Sequence, residues 1–305
     1  MRLTCDMTDD AAVAEEMVTA TAMPQTREGL AGDLAALGVR RGSVLLVHSS
    51  FKALGWVCGG PVAVVQALLD ALGPQGTLVV PTHTPDNTDP AGWRHPPVPE
   101  SWWPVIRAHT PAFDPGLTPS RWMGVVAETV RTWPGARRSD HPQVSFAAVG
   151  PAAEAVVAGH QLDEMLGERS PVGAVYRMDG DVLLVGVGHG SNTSLHLAEY
   201  RLPDPPRRWE GSAVRAPSGG AGRGPSDAGL ARGGGAGRAS GGGTWVRWQD
   251  VDTDEGDFDQ VGAAFEAGGA VRVGLVGGAE CRLIRQRALV DFAVDWLGSH
   301  RWPAR

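Results

Sequence analysis

The apolar residues of this chain fall into two alternating patterns. Short unbroken apolar runs are typical of strands covered on both faces, whereas apolar residues at helical spacing predict amphipathic helices. The predicted strands are Ser43–Val47, Thr77–Pro81, Val144–Val149 and Val182–Val187. The predicted helices are Thr26–Leu37, Val62–Leu72, Trp122–Thr132 and Ala152–Ala158. This alternation predicts an α/β domain in which helices cover a sheet.

The C-terminal third is richer in strand-like sequence and contains one segment of low complexity. The runs RRWEGSAVR at 207–215 and TWVRWQDVD at 244–252 predict the two strands of a hairpin. Between them, residues 217–243 are rich in Gly, Ser, Ala and Arg, and Leu230 is their one large apolar residue. Such composition predicts a flexible insertion at a surface tip, and we expect it to be dispensable.

Three further segments complete the predicted organisation. A strand is predicted at Val271–Val276 and a helix at Arg287–Leu297. Residues 85–121 are rich in Pro and Trp, which predicts a long, packed and functional loop. Residues 1–23 are predicted to form an acidic tail or a short helix, and residues 24–305 a single domain.

The stretch after the strand at Val182–Val187 is the first candidate for chemistry. A turn with Gly at 186, 188 and 190 leads into polar residues that suit a helix N-cap. The helix then carries His196 and Glu199 three positions apart, so both lie on one face. A neutral imidazole beside a carboxylate can accept a proton near neutral pH. A solvated helix with an ordinary His and Glu is the alternative.

Composition and charge exclude several classes of protein. The net charge is −7 over 305 residues, which argues against a non-specific nucleic-acid surface and for cationic ligands. Three cysteines without CxxC spacing fit a reducing compartment. The sequence has no apolar run of membrane-spanning length and no signal-peptide pattern, so we expect a cytoplasmic protein with no membrane partner.

Two other groups of polar residues are candidates for binding. His48, Ser49 and Ser50 follow a predicted strand, where hydroxyl and backbone N–H groups can bind carbonyls or phosphates; a plain turn is the alternative. Asp250–Asp259 holds six acids in ten residues. It departs from the EF-hand pattern, and the histidines lack metal-ligand spacing, so no metal site is predicted. The acids can receive a polycation or form a solvated turn.

Five segments in order resemble the aminoglycoside 3-N-acetyltransferase family. They are VLLVHSSFKALGWVCGGP at 44–61, LGPQGTLVVPT at 72–82, ARRSDHPQVSFAAVGP at 136–151, SPVGAV at 170–175 and VLLVGVGHGSNTSLHLAEYR at 182–201. The resemblance implies acetyl transfer from acetyl-CoA to the 3-amino group of a 2-deoxystreptamine ring, and hence antibiotic resistance. It also implies a mixed sheet layered with helices, distinct from the GNAT fold, and allows a homodimer.

The resemblance also implies a role for each matching residue. His196 matches the catalytic His and Glu199 its acid, which implies direct transfer with His196 as general base. The residues implied to hold acetyl-CoA are His48, Ser49, Ser50, Phe51, Ser139 and His141. The residues implied to face the amino-sugar are Asp86, Asp250 and Asp252. His189 is expected to be a bystander.

Other functions remain open at this stage. The residues are compatible with an N-acetyltransferase of another amino-sugar or biosynthetic amine, and with a non-catalytic aminoglycoside-binding protein. A hydrolase has less support, because the sequence lacks a Ser nucleophile motif and a metal motif. Turn amides near Ser49 and Ser50, or a hydroxyl, are expected to stabilise the oxyanion of acetyl transfer.

Overall fold

A mixed seven-stranded sheet forms the centre of the protein, in the order β3-β4-β2-β1-β5-β9-β8. The computed structural model describes residues 15, 17–19, 21–215 and 243–301. The strands are β1 Val44–Ser49, β2 Thr77–Pro81, β3 Arg137–Arg138, β4 Phe146–Val149, β5 Asp181–Val185, β6 Arg207–Arg215, β7 Gly243–Val251, β8 Arg272–Val276 and β9 Ala279–Arg285. The helices are α1 Arg27–Leu37, α2 Gly60–Leu72, α3 Trp103–His109, α4 Gly124–Arg131, α5 Ala153–Val157, α6 Pro171–Arg177, α7 His196–Tyr200, α8 Phe258–Ala267 and α9 Gln286–His300.

The three central strands β2, β1 and β5 are parallel, so their carboxyl ends meet at one edge of the sheet. Strands β4 and β9 flank them in antiparallel orientation. This arrangement is the predicted mixed sheet layered with helices. The carboxyl edge of a parallel sheet is where open α/β folds place their ligands.

Helices cover both faces of the sheet, and alternate residues of each strand point to opposite faces. Leu45 and Val47 of β1 belong to the core between the sheet and α1, α2 and α4. We call this side of the sheet the first face. Leu46 and Val79 belong to the core beneath α5 to α9, which we call the second face. Burial on both sides explains why the central strands read as unbroken apolar runs.

Most predicted elements agree with the structure, but strand β3 and helix α6 were not predicted, and three further differences have a physical reason. Strand β9 was not predicted, because charged residues interrupt its apolar positions. Helix α3 lies inside the Pro- and Trp-rich loop, where little periodicity marks it. Helix α7 begins only at His196, after two 3-10 turns, and the predicted cap Asn192 caps the second of these turns through Ser194 N–H at 3.1 Å.

Strands β6 and β7 form the predicted hairpin, and Arg215 pairs with Gly243 at its far end. The predicted insertion 217–243 lies outside the described residues except for Gly243, which belongs to β7. Most of the predicted tail 1–23 also lies outside them. Within the described ranges, no helix combines the length and the apolar character needed to cross a membrane.

Candidate active site

The carboxyl edge of the parallel strands brings together side chains from three parts of the chain. His48 and Ser49 end β1, and His83 follows β2 by two residues. Strand alternation places His48 and His83 on the second face, the face that α7 covers. His196 therefore lies on the same side of the sheet as both of them.

The turn after β5 is tight because the protein itself fills the space beside its glycines. Gly186 has φ +61°, and a Cβ there would lie 2.2 Å from the Cβ of Ala53. A Cβ on Gly188 would lie 3.1 Å from the Asp259 carboxylate. Glycine at these two positions could equally allow a ligand to approach closely. The close neighbours are residues of this chain.

The His196–Glu199 pair is formed as predicted. The Nδ1 atom of His196 lies 2.7 Å from Oε2 of Glu199, and the imidazole packs edge-on against Phe258 with ring centroids 4.7 Å apart. Nδ1–H donates to the carboxylate, so Nε2 holds the lone pair. The His196 side chain is 12% exposed and Glu199 is 0% exposed. The pair thus holds one basic nitrogen, Nε2 of His196, on an imidazole that a buried carboxylate fixes in place.

The other oxygen of Glu199 is held by residues that are remote in sequence. Oε1 accepts a hydrogen bond from Asp254 N–H at 2.9 Å and forms an ion pair with Arg301. Arg301 also binds Asp257 and the carbonyl of Asp254. A buried carboxylate needs such partners to stay ionised, and an ionised Glu199 stabilises a protonated His196.

His48 lies on the β1 side of His196 and is neutral in the fold. Its Nε2 is 3.3 Å from Oγ1 of Thr193, in the turn before α7. Burial, followed by the charge of His196, lowers the pKa of His48 to about 3. The structure therefore brings His48 into the same site as His196 but keeps it uncharged.

Ser139 and His141 are buried on the second face, and their polar atoms bond within the chain. Oγ of Ser139 accepts from Phe146 N–H at 2.9 Å and lies 3.0 Å from Nδ1 of His160. Nδ1 of His141 accepts from Gln143 N–H and Val144 N–H at 3.2 and 3.1 Å. These contacts hold β4 in place, and none of them is to the His196–Glu199 pair.

The three predicted sugar-binding acids have different surroundings. Asp250 is 0% exposed and accepts from Met165 N–H, Tyr200 Oη–H and Val251 N–H at 2.8, 2.8 and 2.7 Å. Burial is the main reason that its pKa rises to about 6. Three donors leave it little capacity for a ligand. Asp86 and Asp252 are half exposed and lie 3.2 and 3.3 Å from arginines, Arg121 and Arg208 respectively.

The rest of the acidic run binds the protein itself. Asp254 accepts from Gly256 N–H, Asp257 pairs with Arg301, and Asp259 accepts from Gly190 N–H. The run therefore fastens the segment before α8 to the site, although Asp252, Asp254, Glu255 and Asp259 also remain exposed to solvent. No group of His, Cys, Asp and Glu in the described ranges is arranged to hold a metal ion.

Two site residues were missed by the sequence analysis. His83 comes two residues after a predicted strand, much as His48 follows the predicted strand Ser43–Val47, so the same argument could have found it. Arg301 stands 102 residues from Glu199, and no local pattern marks its role.

Acid is expected to destabilise the fold through His48 and His141. Burial holds the pKa of both below the ordinary value, so both are neutral in the fold. In the unfolded chain both imidazoles bind a proton below about pH 6.5. The free energy of unfolding therefore decreases by about 1.4 kcal/mol for each His with every pH unit of acidification below that value. By pH 5 each buried His of this kind contributes a loss of about 2 kcal/mol, His83 and His160 included, and protonation of Asp250 offsets about 1 kcal/mol of the total.

Urea unfolding between pH 7.5 and 5 checks this expectation. The double variant His48→Asn/His141→Asn should show a flatter dependence of unfolding free energy on pH. His109→Asn is the control, because His109 is exposed on α3. Equal slopes in all three proteins would contradict the assignment.

Comparison with known proteins identifies relatives along nearly the whole chain. The family model of the aminoglycoside 3-N-acetyltransferases matches residues 46–298. The SPbeta prophage-derived aminoglycoside N(3')-acetyltransferase-like protein YokD of Bacillus subtilis (strain 168) is 38% identical over 283 residues, which are 92% of this chain and 96% of that protein. Aminoglycoside N(3)-acetyltransferase VII of Streptomyces paromomycinus is 34% identical over 304 residues, covering 92% of this chain and 95% of that protein.

Solved structures agree with these sequence relationships. The crystal structure of YokD from Bacillus subtilis superimposes with a TM-score of 0.85 at 37% identity, covering 95% of this chain and 100% of that one. The binary complex of AAC-IIIb with CoASH superimposes with a TM-score of 0.75 at 30% identity, covering 93% of this chain and 99% of that one.

Together with these likenesses, the mixed sheet and its histidine–carboxylate pair define an acyltransferase enzyme. The chain belongs to the aminoglycoside 3-N-acetyltransferase family, as the resemblance of its motifs predicted. Its acetyl donor is acetyl-CoA.

Proposed function

We propose that this enzyme acetylates the 3-amino group of the 2-deoxystreptamine ring of aminoglycosides and so confers resistance to them. The observation that carries the proposal is the 2.7 Å contact between His196 Nδ1 and the fully buried Glu199. It supplies a proton acceptor at the carboxyl edge of the sheet. Membership of the family supports the choice of donor and acceptor.

In the proposed mechanism the acetyl group passes directly from the thioester to the amine. The unprotonated amine attacks the thioester carbon, and Nε2 of His196 accepts the amine proton as the N–C bond forms. Glu199 stabilises the resulting imidazolium. The C–S bond then breaks, and the proton held by His196 passes to the departing thiolate to give CoASH.

The cationic sugar is proposed to meet the half-exposed acids first. Side chains of Asp86 and Asp252 are 58% and 50% exposed, so ammonium groups can reach them by competing with Arg121 and Arg208. Asp250 is buried, and we propose that it acts by fixing Tyr200 and the hairpin. Its three donors support this indirect role.

Acetyl-CoA is proposed to lie along the end of β1, where His48, Ser49 and Ser50 lead into the 3-10 turn Phe51–Leu54. Phe51 packs against the core of the first face and so anchors this turn. Ser139 and His141 are proposed to support the site from within, because their hydrogen bonds are to β4 and its neighbours.

An assay of thiol release from acetyl-CoA with a panel of aminoglycosides tests the proposal. We expect release with 2-deoxystreptamine compounds, and NMR of the product should place the acetyl group on the 3-amine. Release only with an amine outside this class would favour another amino-sugar or a biosynthetic amine. Tight binding of aminoglycosides without release would indicate a binding protein and contradict the proposal.

A further inference from the structure

Acetyl transfer needs a hydrogen-bond donor for the oxygen that becomes negatively charged when the amine attacks. Turn amides near Ser49 and Ser50, or a hydroxyl, were the expected source of this donor. However, the Ser50 N–H already donates to the carbonyl of Val185 at 2.9 Å. That bond links β1 to β5, so the Ser50 amide does not serve the oxyanion without breaking the sheet edge. The donor is then a hydroxyl or another N–H group near the end of β1.

His83 lies beside this position on the neighbouring strand. Leu46 of β1 pairs with Val79 of β2, and continuing this parallel register brings His83 next to Ser50. The backbone around His83 is fixed by hydrogen bonds to the segment that leads into β4. Thr82 N–H donates to the carbonyl of Ser145 at 2.8 Å, and Thr84 N–H donates to the carbonyl of Gln143 at 2.7 Å. The location of His83 is therefore as rigid as the sheet.

The His83 side chain points to the face that holds the general base. His83 has the same parity as Val79, whose side chain belongs to the second face. Its ring contacts Phe146 of that face edge-on, with centroids 5.3 Å apart. His48 and His196 both lie close enough for their charge to act on it.

One nitrogen of His83 lacks a partner among the described residues. Nε2 is buried from solvent and forms no hydrogen bond there. A buried polar atom left unpaired costs about 1–3 kcal/mol, and native proteins keep few of them. The cost is explained if a ligand supplies the partner.

His83 also has the charge state that an oxyanion donor at this location requires. Burial is the main cause that lowers its pKa to about 3, and nearby positive charge, including that of Arg138, lowers it further. A neutral imidazole can donate an N–H to a developing oxyanion. Because His83 stays neutral, it places no fixed positive charge beside the cationic sugar or the protonated His196.

We propose that His83 is a second catalytic residue, whose Nε2–H donates a hydrogen bond to the acetyl carbonyl oxygen of acetyl-CoA. The bond strengthens as that oxygen becomes the oxyanion, and His83 itself neither gains nor loses a proton. This role rests on the proposed acetyl transfer, in which His196 handles the amine proton. It requires the tautomer of His83 with hydrogen on Nε2.

Steady-state kinetics of two substitutions provide the first test. His83→Leu should lower kcat by about 10²–10³-fold, the usual effect of losing one oxyanion donor. His83→Gln keeps an N–H donor at similar reach and should restore kcat to within about tenfold of the wild type. His109→Leu, on the exposed side of α3, should leave kcat unchanged. Wild-type kcat in His83→Leu would overturn the proposal.

The carbonyl stretch of bound acetyl-CoA labelled with ¹³C at the carbonyl provides the second test. A hydrogen bond from His83 should lower the frequency of the carbonyl stretch in the wild type. In His83→Leu the frequency should return toward the value of acetyl-CoA in a solvent that donates no hydrogen bonds. His196→Ala should keep the lowered stretch although it loses turnover. A fall in kcat with no change of the stretch in His83→Leu would show a structural role only and overturn the proposal.

These measurements separate this inference from the proposed function. If no aminoglycoside causes thiol release from acetyl-CoA but His83→Leu still shifts the frequency of the carbonyl stretch, the proposed function fails. The contact between His83 and the carbonyl oxygen then still stands. If the wild type acetylates aminoglycosides and the stretch is the same in both proteins, the function stands and the role of His83 is wrong.

Discussion

Replacing His196 with Ala should lower kcat by about 10²–10⁴-fold, the usual contribution of a general base. The physical reason is that the attacking amine then has no positioned acceptor for its proton. Binding of acetyl-CoA should change little, because the end of β1 and the turn Phe51–Leu54 remain in place. Steady-state kinetics measure kcat, and titration with CoASH measures the affinity for the cofactor separately.

A second histidine–glutamate pair in the same protein provides the control. His189 Nε2 lies 2.8 Å from Oε1 of Glu266, and the His189 side chain is 5% exposed. The pair resembles that of His196 in its contact distance, but Glu266 is 27% exposed and also binds Arg282 on β9. His189→Gln should retain kcat within a few-fold. Near-normal turnover in His196→Ala, or a large loss in His189→Gln, would remove His196 from the role of base.

Replacing Arg301 with Met should cost about 3–5 kcal/mol of unfolding free energy, because it leaves a buried charge without its cation. Glu199 is 0% exposed and Arg301 is 12% exposed, so neither is well solvated. Asp254 N–H would remain as a partner of Glu199, but a backbone amide does not neutralise its charge. Turnover should fall as well, since Glu199 orients His196.

The exposed pair Arg27–Asp70 is the matched control. Its contact is 2.6 Å, and both side chains are 42% exposed. Arg27→Met should therefore cost no more than about 1 kcal/mol, as is usual for surface ion pairs. Urea unfolding of the two variants measures the difference. Equal losses in both would mean that Arg301 does not neutralise Glu199 in the way described.

Elements whose signal is local were predicted well from the sequence. The strand at Thr77–Pro81 and the helix that Thr26 caps have the predicted bounds. Strand β9 was missed because its pairing with β5, rather than its own composition, holds it in the sheet. The start of α7 was placed one turn early, because polar residues that suit a cap can equally cap a 3-10 turn.

The acidic run shows where residue type alone was insufficient. Six acids in ten residues are compatible with binding a polycation or with a solvated turn. In the fold, Asp250 is buried beneath Tyr200, Asp257 pairs with Arg301 and Asp259 holds Gly190. Composition predicts charge density, but the partner of each carboxylate depends on which distant segment packs against it.

The sequence by itself determined the family, the order of most strands and helices in the first two thirds of the chain, and the His196–Glu199 pair. These follow from motifs and from spacings of a few residues, where helix geometry fixes the contact. The tertiary structure alone decided that Arg301 neutralises Glu199, that the Ser50 amide is used within the sheet, and that His83 lies next to Ser50. Each of these depends on strand register or on packing between remote segments, which no local pattern records.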